Sequence, residues 1–363
     1  MSAPRTIMVM AGGTGGHVFP ALAVANLLAQ KQWRIVWLGT RSGMEARLLA
    51  NYAFDMVWIR FSGLRGKGLM RWVKLPLSLL IACLQSMRAI FRYRPDVVLG
   101  MGGFTAFPGG LGAWLLRRPL VLHEQNSIAG MTNAALARFA TTVLTGFPNV
   151  LANYHARWVG NPVRSEIAAL PEPAARYATR SGGLSLLVVG GSLGAQALND
   201  IVPRALALMP SESRPRVTHQ AGTAQLEALE NNYRAAGVAA TTLAFIDDMA
   251  RAYAEADVVI CRAGALTIAE LTAAGVASIL VPFPYAVDDH QTGNARFLSE
   301  RDAAILLPQN QLDAKKLAEL LGEFTRESLL RMAQKARTLA KPDATVETAE
   351  VCETLAGAKR DAA

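Results

Sequence analysis

The chain of 363 residues has few cysteines and no cysteine pattern. Cys83, Cys261 and Cys352 are far apart and follow neither a metal-ligand nor a redox spacing. We therefore expect three ordinary thiols in a protein of a reducing compartment. Short-period repeats and low-complexity tracts are also absent, and the composition, 52% hydrophobic and 18% charged, is that of a folded protein.

Long apolar runs are scarce. The run from Ile7 to Ala11 is short and ends in glycines, which is not the pattern of a secretory signal. The richest later run, Leu75 to Leu84, is about half of the ~20 residues that cross a bilayer, and it contains Pro76. We therefore expect no membrane-spanning segment.

Acidic residues are outnumbered by basic ones. The 28 Asp and Glu against 37 Lys and Arg give a net charge of +9 and a pI near 9.7. An excess of positive charge favours an anionic partner. Nucleic acid, anionic lipid and a phosphorylated substrate all fit, and charge alone does not choose between them.

Apolar strands alternate with helical segments along the whole chain, which predicts an α/β fold with parallel sheets. The predicted strands are Ile7–Met10, Ile35–Leu38, Met56–Ile59, Val97–Leu99, Leu120–Leu122, Thr142–Leu144, Leu186–Val189, Val217–Gln220, Thr242–Phe245, Val258–Ile260 and Ser278–Val281. The strand–glycine loop–helix order of the N-terminus recurs about 180 residues later, at Gly190–Ala195. Two Rossmann-like halves are therefore expected.

The boundary between these halves is predicted near Gly160-Asn161-Pro162, because these residues break both helix and strand. This gives an N-terminal domain over residues 1–162 and a C-terminal domain over residues 163–342. A last helix is predicted over residues 343–357, after Pro342, and we expect it to pack back on the first domain.

The first strand runs directly into Gly12-Gly13-Thr14-Gly15-Gly16-His17, and a helix is predicted from Val18 to Gln30. A glycine-rich turn before a helix aims backbone N–H groups and the positive helix end at one spot, which suits a phosphate. His17 adds a proton acceptor that a purely structural turn does not need. A tight turn with glycines for packing is the alternative.

Two familiar phosphate-binding motifs do not match this loop. A dinucleotide site needs an acid at the end of the second strand, and Ile35–Leu38 is followed by Gly39-Thr40. The P-loop needs a Lys-Ser or Lys-Thr pair after the glycines, and none is present.

A second turn that suits a nucleotide lies at Arg262-Ala263-Gly264, where a strand gives way to a helix. Glu270 lies about one turn into that helix, where a carboxylate can accept hydrogen bonds from both hydroxyls of a ribose. The backbone N–H groups of Ala265 and Leu266 face the same side. A glutamate that only complements the helix dipole is the alternative.

Seven motifs together make the chain resemble the MurG family of bacterial transferases, which add N-acetylglucosamine to lipid I to make lipid II. The motifs are residues 12–17, 123–126, 160–164, 190–192, 245–249, 262–270 and 288–291. The resemblance covers almost the whole chain in order. It implies a GT-B fold, in which two Rossmann-like domains with parallel sheets face each other across a cleft.

The resemblance also implies a donor site for UDP-N-acetylglucosamine, mainly on the second domain. Ile246 would pair with the uracil through its backbone, Ser192 would contact the diphosphate, Glu270 the ribose, and Arg164 would lie near the nucleotide. The full donor set is Thr14, Gly15, Gly16, Asn126, Arg164, Ser192, Ile246, Ala265, Leu266, Thr267, Ile268, Ala269, Glu270 and Gln291. No Asp-x-Asp occurs in the sequence, so we expect no metal and no other cofactor, with helix N-termini stabilising departing UDP.

The acceptor diphosphate would bind to the first glycine loop. The expected acceptor residues are Gly13, Gly15, Gly16, His17, Gly102, Gly103 and Asn126. His17 is the leading candidate for the base that deprotonates the 4-hydroxyl of N-acetylmuramic acid, and Glu124 and His123 are the other candidates. A role for His17 in binding the diphosphate alone stays open.

Basic and apolar residues alternate between residues 63 and 94, as at an anionic membrane surface. The residues predicted to meet the membrane are Leu69, Arg71, Trp72, Lys74, Leu75 and Leu79. A buried amphipathic helix with a solvated basic rim is the alternative, and the two descriptions can hold for different faces. The resemblance places the protein on the cytoplasmic face of the inner membrane, as a peripheral protein.

Two other classes stay open at this point. Another GT-B enzyme, such as a sugar-nucleotide epimerase or a glycolipid glycosyltransferase, would share the features of the second half. A non-catalytic nucleotide-sugar sensor would share them too. Other cell-wall synthesis proteins are expected among the partners, and nucleic acid is not.

Overall fold

The computed structural model describes residues 4–61, 69–191 and 194–361. Ser192, a predicted donor residue, lies outside the described residues. The described chain divides into two compact units. One contains the residues up to Val163 together with those from Pro342 onward, and the other is Arg164–Lys341.

The first unit is built on a parallel sheet of seven strands in the order β3-β2-β1-β4-β5-β6-β7. Its central strands are almost continuously buried, which explains their unbroken apolar sequences. The strands are β1 Thr6–Met10, β2 Arg34–Gly39, β3 Asp55–Trp58, β4 Val97–Gly100, β5 Leu120–Glu124, β6 Thr142–Thr145 and β7 Arg157–Trp158. Helices α1 Gly15–Gln30, α2 Met44–Leu48, α3 Leu69–Tyr93, α4 Ala106–Leu115 and α5 Met131–Leu136 connect them.

The second unit has its own parallel sheet, with six strands in the order β10-β9-β8-β11-β12-β13. The strands are β8 Ser185–Val189, β9 Arg216–Gln220, β10 Thr241–Leu243, β11 Val258–Cys261, β12 Ala277–Leu280 and β13 Ile305–Leu306. The helices are α6 Ser165–Ala168, α7 Pro173–Ala178, α8 Gln196–Leu208, α9 Leu226–Ala236, α10 Met249–Glu255, α11 Ala265–Ala274, α12 His290–Ser299, α13 Ala314–Gly322 and α14 Arg326–Thr338.

The last helix, α15 Ala344–Asp361, belongs to the first unit. Ala349, Cys352 and Ala356 are buried in the same apolar cluster as residues of α1 and β1. At the edge of this contact, Lys31 forms an ion pair with Glu353, with 2.9 Å between Nζ and Oε2. The buried face of α15 thus completes one side of the first sheet.

Helix α3 contains a longer apolar stretch than the run Leu75 to Leu84 that the sequence shows. Its stretch Leu75–Tyr93 has 19 residues and a mean hydropathy of 1.3, and it is long and apolar enough to cross a membrane by length and composition alone. The expectation that no segment reaches this length was therefore wrong, because it considered only the uninterrupted apolar run. One face of α3 packs on the first sheet, where Ala82, Ala89 and Ile90 are buried.

Candidate functional site

Two glycine-rich loops meet where the strand order of the first sheet reverses. Strands β1 and β4 are neighbours there, and the loops that follow them lie at their carboxyl ends. The chain approaches itself closely, because a Cβ on Gly103 would lie 2.2 Å from the carbonyl oxygen of Gly12. In open parallel sheets this switch point is the usual ligand site.

Helix α1 begins at Gly15, three residues before the predicted start at Val18. The N–H groups of Gly15 and Gly16 therefore lie in the first helical turn, where no intrahelical acceptor exists. Thr14 precedes them with an exposed side chain that forms no capping hydrogen bond. Helix α4 starts beside this loop, at Ala106, so the positive ends of two helices lie at the switch point, which favours an anion there.

A buried carboxylate that the sequence analysis did not single out holds this loop. Glu45 accepts hydrogen bonds from the backbone of Thr40 (2.8 Å) and Gly13 (3.2 Å) and from the Thr40 hydroxyl (3.0 Å). Side chains at Gly12, Gly39 and Gly43 would overlap it. The usual ribose-binding acid at the end of β2 is missing, and an acid on α2 instead supports the loop backbone.

His17 lies at the head of a chain of hydrogen bonds. Its Nδ1 is 2.7 Å from Oε1 of Gln125, and the Gln125 amide nitrogen is 3.1 Å from Nδ1 of His123. His123 Nε2 in turn is 2.8 Å from the carbonyl oxygen of Gly160. Burial lowers the pKa of His123 to about 4, so this ring is neutral near pH 7. His17 is half-buried, and the other members of the chain are buried.

Glu124, the second predicted catalytic residue, has a carboxylate that is already fully engaged. It accepts hydrogen bonds from the backbone of Asn126 (2.9 Å) and Gly130 (3.1 Å) and from the Asn133 amide (2.9 Å). It is also only 1% exposed. This geometry favours an anchor for the 124–130 loop over a base, and it presents half-buried Asn126 at the loop's start.

The second unit repeats this arrangement at its own switch point, between β8 and β11. Gln220, buried at the end of β9, pairs with both backbone groups of Gly191 and donates to the carbonyl oxygen of Ala244. It thereby joins the second glycine loop to the segment that carries Ile246. Gln220 could not be predicted from the sequence, because nothing there shows which loops a glutamine at the end of a strand connects.

Glu270 lies on α11 with two partners. Arg164 Nη2 donates to its Oε1 (3.1 Å), and the Tyr253 hydroxyl donates to its Oε2 (3.1 Å). Burial raises the pKa of Glu270, and Arg164 opposes this by favouring the charged form. Arg164 and Glu270 form an ion pair, in which the Arg164 side chain is 45% exposed.

The remaining donor residues surround the same end of the second sheet. On α11, Ala265 and Ile268 are buried, whereas Leu266, Thr267 and Ala269 are half-buried. Ile246 is half-buried beside exposed Phe245, and Gln291 accepts a hydrogen bond from the backbone of Phe283 (2.9 Å). The Ile268 side chain is therefore closed to a ligand, and its backbone N–H already donates to the carbonyl oxygen of Gly264 (2.9 Å).

Among the described residues, no three His, Cys, Asp or Glu side chains are grouped in a way that could hold a metal ion. Each unit instead offers a glycine loop and helix N-termini at the carboxyl end of its sheet. These groups bind anions through N–H donors.

The two halves of the chain match two domains of one enzyme family. Residues 7–145 match the glycosyltransferase family 28 N-terminal domain, and residues 185–348 match its C-terminal domain. The chain is 59% identical over 361 residues to a Burkholderia thailandensis protein and 58% identical over 352 residues to a Dechloromonas aromatica protein. Each comparison covers 97–98% of this chain and 98–99% of the relative. Both relatives are named UDP-N-acetylglucosamine–N-acetylmuramyl-(pentapeptide) pyrophosphoryl-undecaprenol N-acetylglucosamine transferase.

Solved structures agree with this match. The crystal structure of Acinetobacter baumannii MurG superposes with a TM-score of 0.84 at 42% identity, covering 97% of this chain and all of that one. A Listeria monocytogenes protein described as a putative UDP-N-acetylglucosamine 2-epimerase shares the fold alone, with a TM-score of 0.64 at 14% identity over 96% of this chain and 95% of that one. The predicted GT-B fold class is thus confirmed. The chain belongs to glycosyltransferase family 28 and, within it, to the MurG family.

Proposed function

We propose that this protein transfers N-acetylglucosamine from UDP-N-acetylglucosamine to the 4-hydroxyl of N-acetylmuramic acid in lipid I, with inversion, giving lipid II and UDP. The observation that carries the proposal is near-complete alignment, at 58–59% identity, with relatives named for this transfer. The paired anion sites at the two switch points support it, because donor and acceptor each carry a diphosphate.

In the proposed reaction the acceptor oxygen attacks the anomeric carbon of the donor. The bond from that carbon to UDP breaks, and the electron pair leaves with UDP. The proton of the hydroxyl passes to His17, which lies in the first turn of α1 beside the acceptor loop. Gly13, Gly15, Gly16, Gly102 and Gly103 form the loops proposed for the acceptor diphosphate.

On the second unit, Glu270 is proposed to accept hydrogen bonds from the ribose hydroxyls. Arg164, which forms an ion pair with Glu270, is proposed to lie near the nucleotide. The N-termini of α8 and α11 then stabilise the charge that develops on UDP. Thr14 and Asn126 of the first unit and Gln291 of the second are proposed to contact the donor sugar.

Transfer is proposed to need no metal ion and no other cofactor. Turnover in excess EDTA should then equal turnover with added Mg²⁺ or Mn²⁺. A loss of activity in EDTA that Mg²⁺ restores would contradict this part of the proposal.

The lipid acceptor requires access to a membrane, and α3 offers a surface for it. Leu77, Leu80, Ile81, Leu84 and Phe91 are 40–69% exposed along one side of the helix. The exposed basic residues Arg88, Arg92 and Arg94 lie at its end. We propose that this surface rests on anionic lipid at the cytoplasmic face of the inner membrane.

These exposed positions refine the predicted contact. Leu75 and Leu79 are half-buried, whereas Leu77, Leu80 and Leu84 are exposed, so the proposed membrane face is centred on these three leucines. Leu69, Arg71, Trp72 and Lys74 belong to α3, and their contribution stays a prediction. Contacts with other cell-wall synthesis proteins also stay a prediction.

The function is tested by incubating the purified protein with labelled UDP-N-acetylglucosamine and a short-chain lipid I analogue. Equal amounts of UDP and a disaccharide lipid are expected. Conversion of the donor to an epimer without a disaccharide lipid would indicate an epimerase, and donor binding without turnover would indicate a sensor. Either result would overturn the proposal.

A further inference from the structure

We propose that Gln125 is a positioning residue that fixes His17 in the tautomer with hydrogen on Nδ1 and a free lone pair on Nε2. The tautomer assignment follows from the structure itself. Its consequence for catalysis rests on the proposed function.

The first fixed point is the carbonyl oxygen of Gly160, which can only accept a hydrogen bond. His123 Nε2 lies 2.8 Å from it and therefore carries hydrogen. Because burial keeps His123 neutral, its Nδ1 has no hydrogen and must act as an acceptor.

The second fixed point is the carbonyl oxygen of His123. One terminal atom of the Gln125 side chain lies 2.8 Å from this carbonyl and 3.1 Å from His123 Nδ1. Both neighbours are acceptors, so this atom is the amide nitrogen and donates to both. The side-chain oxygen of Gln125 therefore faces His17.

The orientation of Gln125 is held on both sides. The amide of Asn161 donates to the backbone carbonyl oxygen of Gln125 (2.9 Å), and the amide of Asn133 donates to the backbone carbonyl oxygen of His123 (3.2 Å), so the backbone that carries the Gln125 side chain is fixed. Gln125 is 1% exposed, so water does not compete for its amide. Rotation of the amide would place oxygen against oxygen in a buried site, which is costly.

The orientation of the Gln125 amide determines which nitrogen of His17 carries hydrogen. Gln125 Oε1 can only accept, so the contact of 2.7 Å requires hydrogen on His17 Nδ1. His17 Nε2 then carries the lone pair, and within the described part of the chain it has no hydrogen-bond partner. When Nε2 takes the proton of the acceptor, the Nδ1–H group still donates to Gln125, so no rearrangement accompanies the transfer.

The test is ¹⁵N NMR of the full-length protein labelled at histidine, at neutral pH, with His17 assigned from the loss of its signals in His17→Ala. The expected spectrum shows a protonated Nδ1 and an unprotonated Nε2. Gln125→Met removes the acceptor and should give a mixture of tautomers. Gln125→Glu keeps an acceptor toward His17, with the carboxyl hydrogen on the oxygen that faces the His123 carbonyl, and should retain hydrogen on Nδ1.

Kinetics complete the test. Gln125→Met should lower kcat about 10-fold while the KM for UDP-N-acetylglucosamine stays unchanged, because the base is present but not held in one form. A wild-type His17 with hydrogen on Nε2 would overturn the assignment, even if Gln125→Met fails to fold. An unchanged kcat in Gln125→Met would overturn the catalytic consequence. Absence of sugar transfer by the wild-type protein would overturn the proposed function and leave the tautomer standing.

Discussion

At the scale of single residues, the loops proposed for the acceptor contain glycines with positive φ, and some of these leave no room for a side chain. Gly102 has φ +94°, and a Cβ at this position would lie 2.9 Å from Cε1 of His17. Gly182, in an exposed loop of the second unit, has φ +73°, and a Cβ at Gly182 would have no atom within 4 Å. Alanine at either glycine strains the backbone, but only alanine at Gly102 also pushes against His17, so comparing the two variants distinguishes the two effects.

Gly102→Ala should lower kcat at least 10-fold, because the new methyl group moves the His17 ring away from the substrate hydroxyl. Gly182→Ala is the matched control, since both variants carry the strain of alanine at positive φ, about 1–2 kcal/mol. Steady-state kinetics and thermal unfolding of both variants provide the measurement. Equal kcat values in the two variants would contradict this reading of Gly102.

The sequence indicated the principal residues of the site but not the connections between them. His17 and Glu270 stand out because a histidine after a glycine loop and a glutamate after an Arg-Ala-Gly turn are chemically unusual. Gln125 and Glu45 do not stand out, because each contacts residues that are far away in the sequence and become neighbours only in the folded chain. Glu124 resembles a base in sequence, and only the structure reveals that its own loop uses the carboxylate.

At the scale of elements, the predicted strands are present and their ends differ by one to a few residues. The short edge strands β7 and β13 were missed, since two residues carry no readable pattern. The last helix ends at Asp361 rather than near residue 357. The apolar length of α3 was underestimated because Gln85, Arg88 and Arg92 interrupt the apolar residues of its second half.

Helix α3 also carries the membrane prediction. The triple variant Leu77→Gln, Leu80→Gln, Leu84→Gln should bind anionic vesicles at least 10-fold more weakly, because each exposed leucine that enters the interface contributes up to about 1.5–3 kcal/mol. Its KM for UDP-N-acetylglucosamine should be unchanged. Vesicle sedimentation at fixed ionic strength measures the binding.

Leu208→Gln serves as the control, because Leu208 is 60% exposed on α8 of the second unit. This variant should sediment with vesicles like the wild-type protein. If the triple variant also binds like the wild type, then α3 is not the membrane surface.

At the scale of the whole molecule, buried neutral histidines link stability to pH. Burial lowers the pKa of His219 in the second unit from 6.5 to about 3, as it lowers that of His123 in the first unit to about 4. In the unfolded chain both rings bind a proton below about pH 6.5. Between these limits the unfolded state holds more protons, so the free energy of unfolding falls as the pH is lowered.

Each of these histidines should contribute a slope of up to ~1.4 kcal/mol per pH unit below pH 6.5. His219→Gln should therefore reduce the pH dependence of unfolding between pH 7 and pH 5, whatever it does to stability at pH 7. Denaturant unfolding at several pH values provides the measurement. His155→Ala, at an exposed position, should keep the wild-type slope. An unaltered slope in His219→Gln would show that His219 is not a source of the pH dependence of unfolding.

The central claim is that the glycine loop of the first unit binds the acceptor and that His17 takes its proton. The most direct measurement is the pH–rate profile at saturating lipid I analogue for the wild type, His17→Ala, Glu124→Ala and His155→Ala. We expect His17→Ala to lower kcat about 10²- to 10⁴-fold with donor binding intact, while His155→Ala behaves like the wild type. Near-normal turnover in His17→Ala would contradict it.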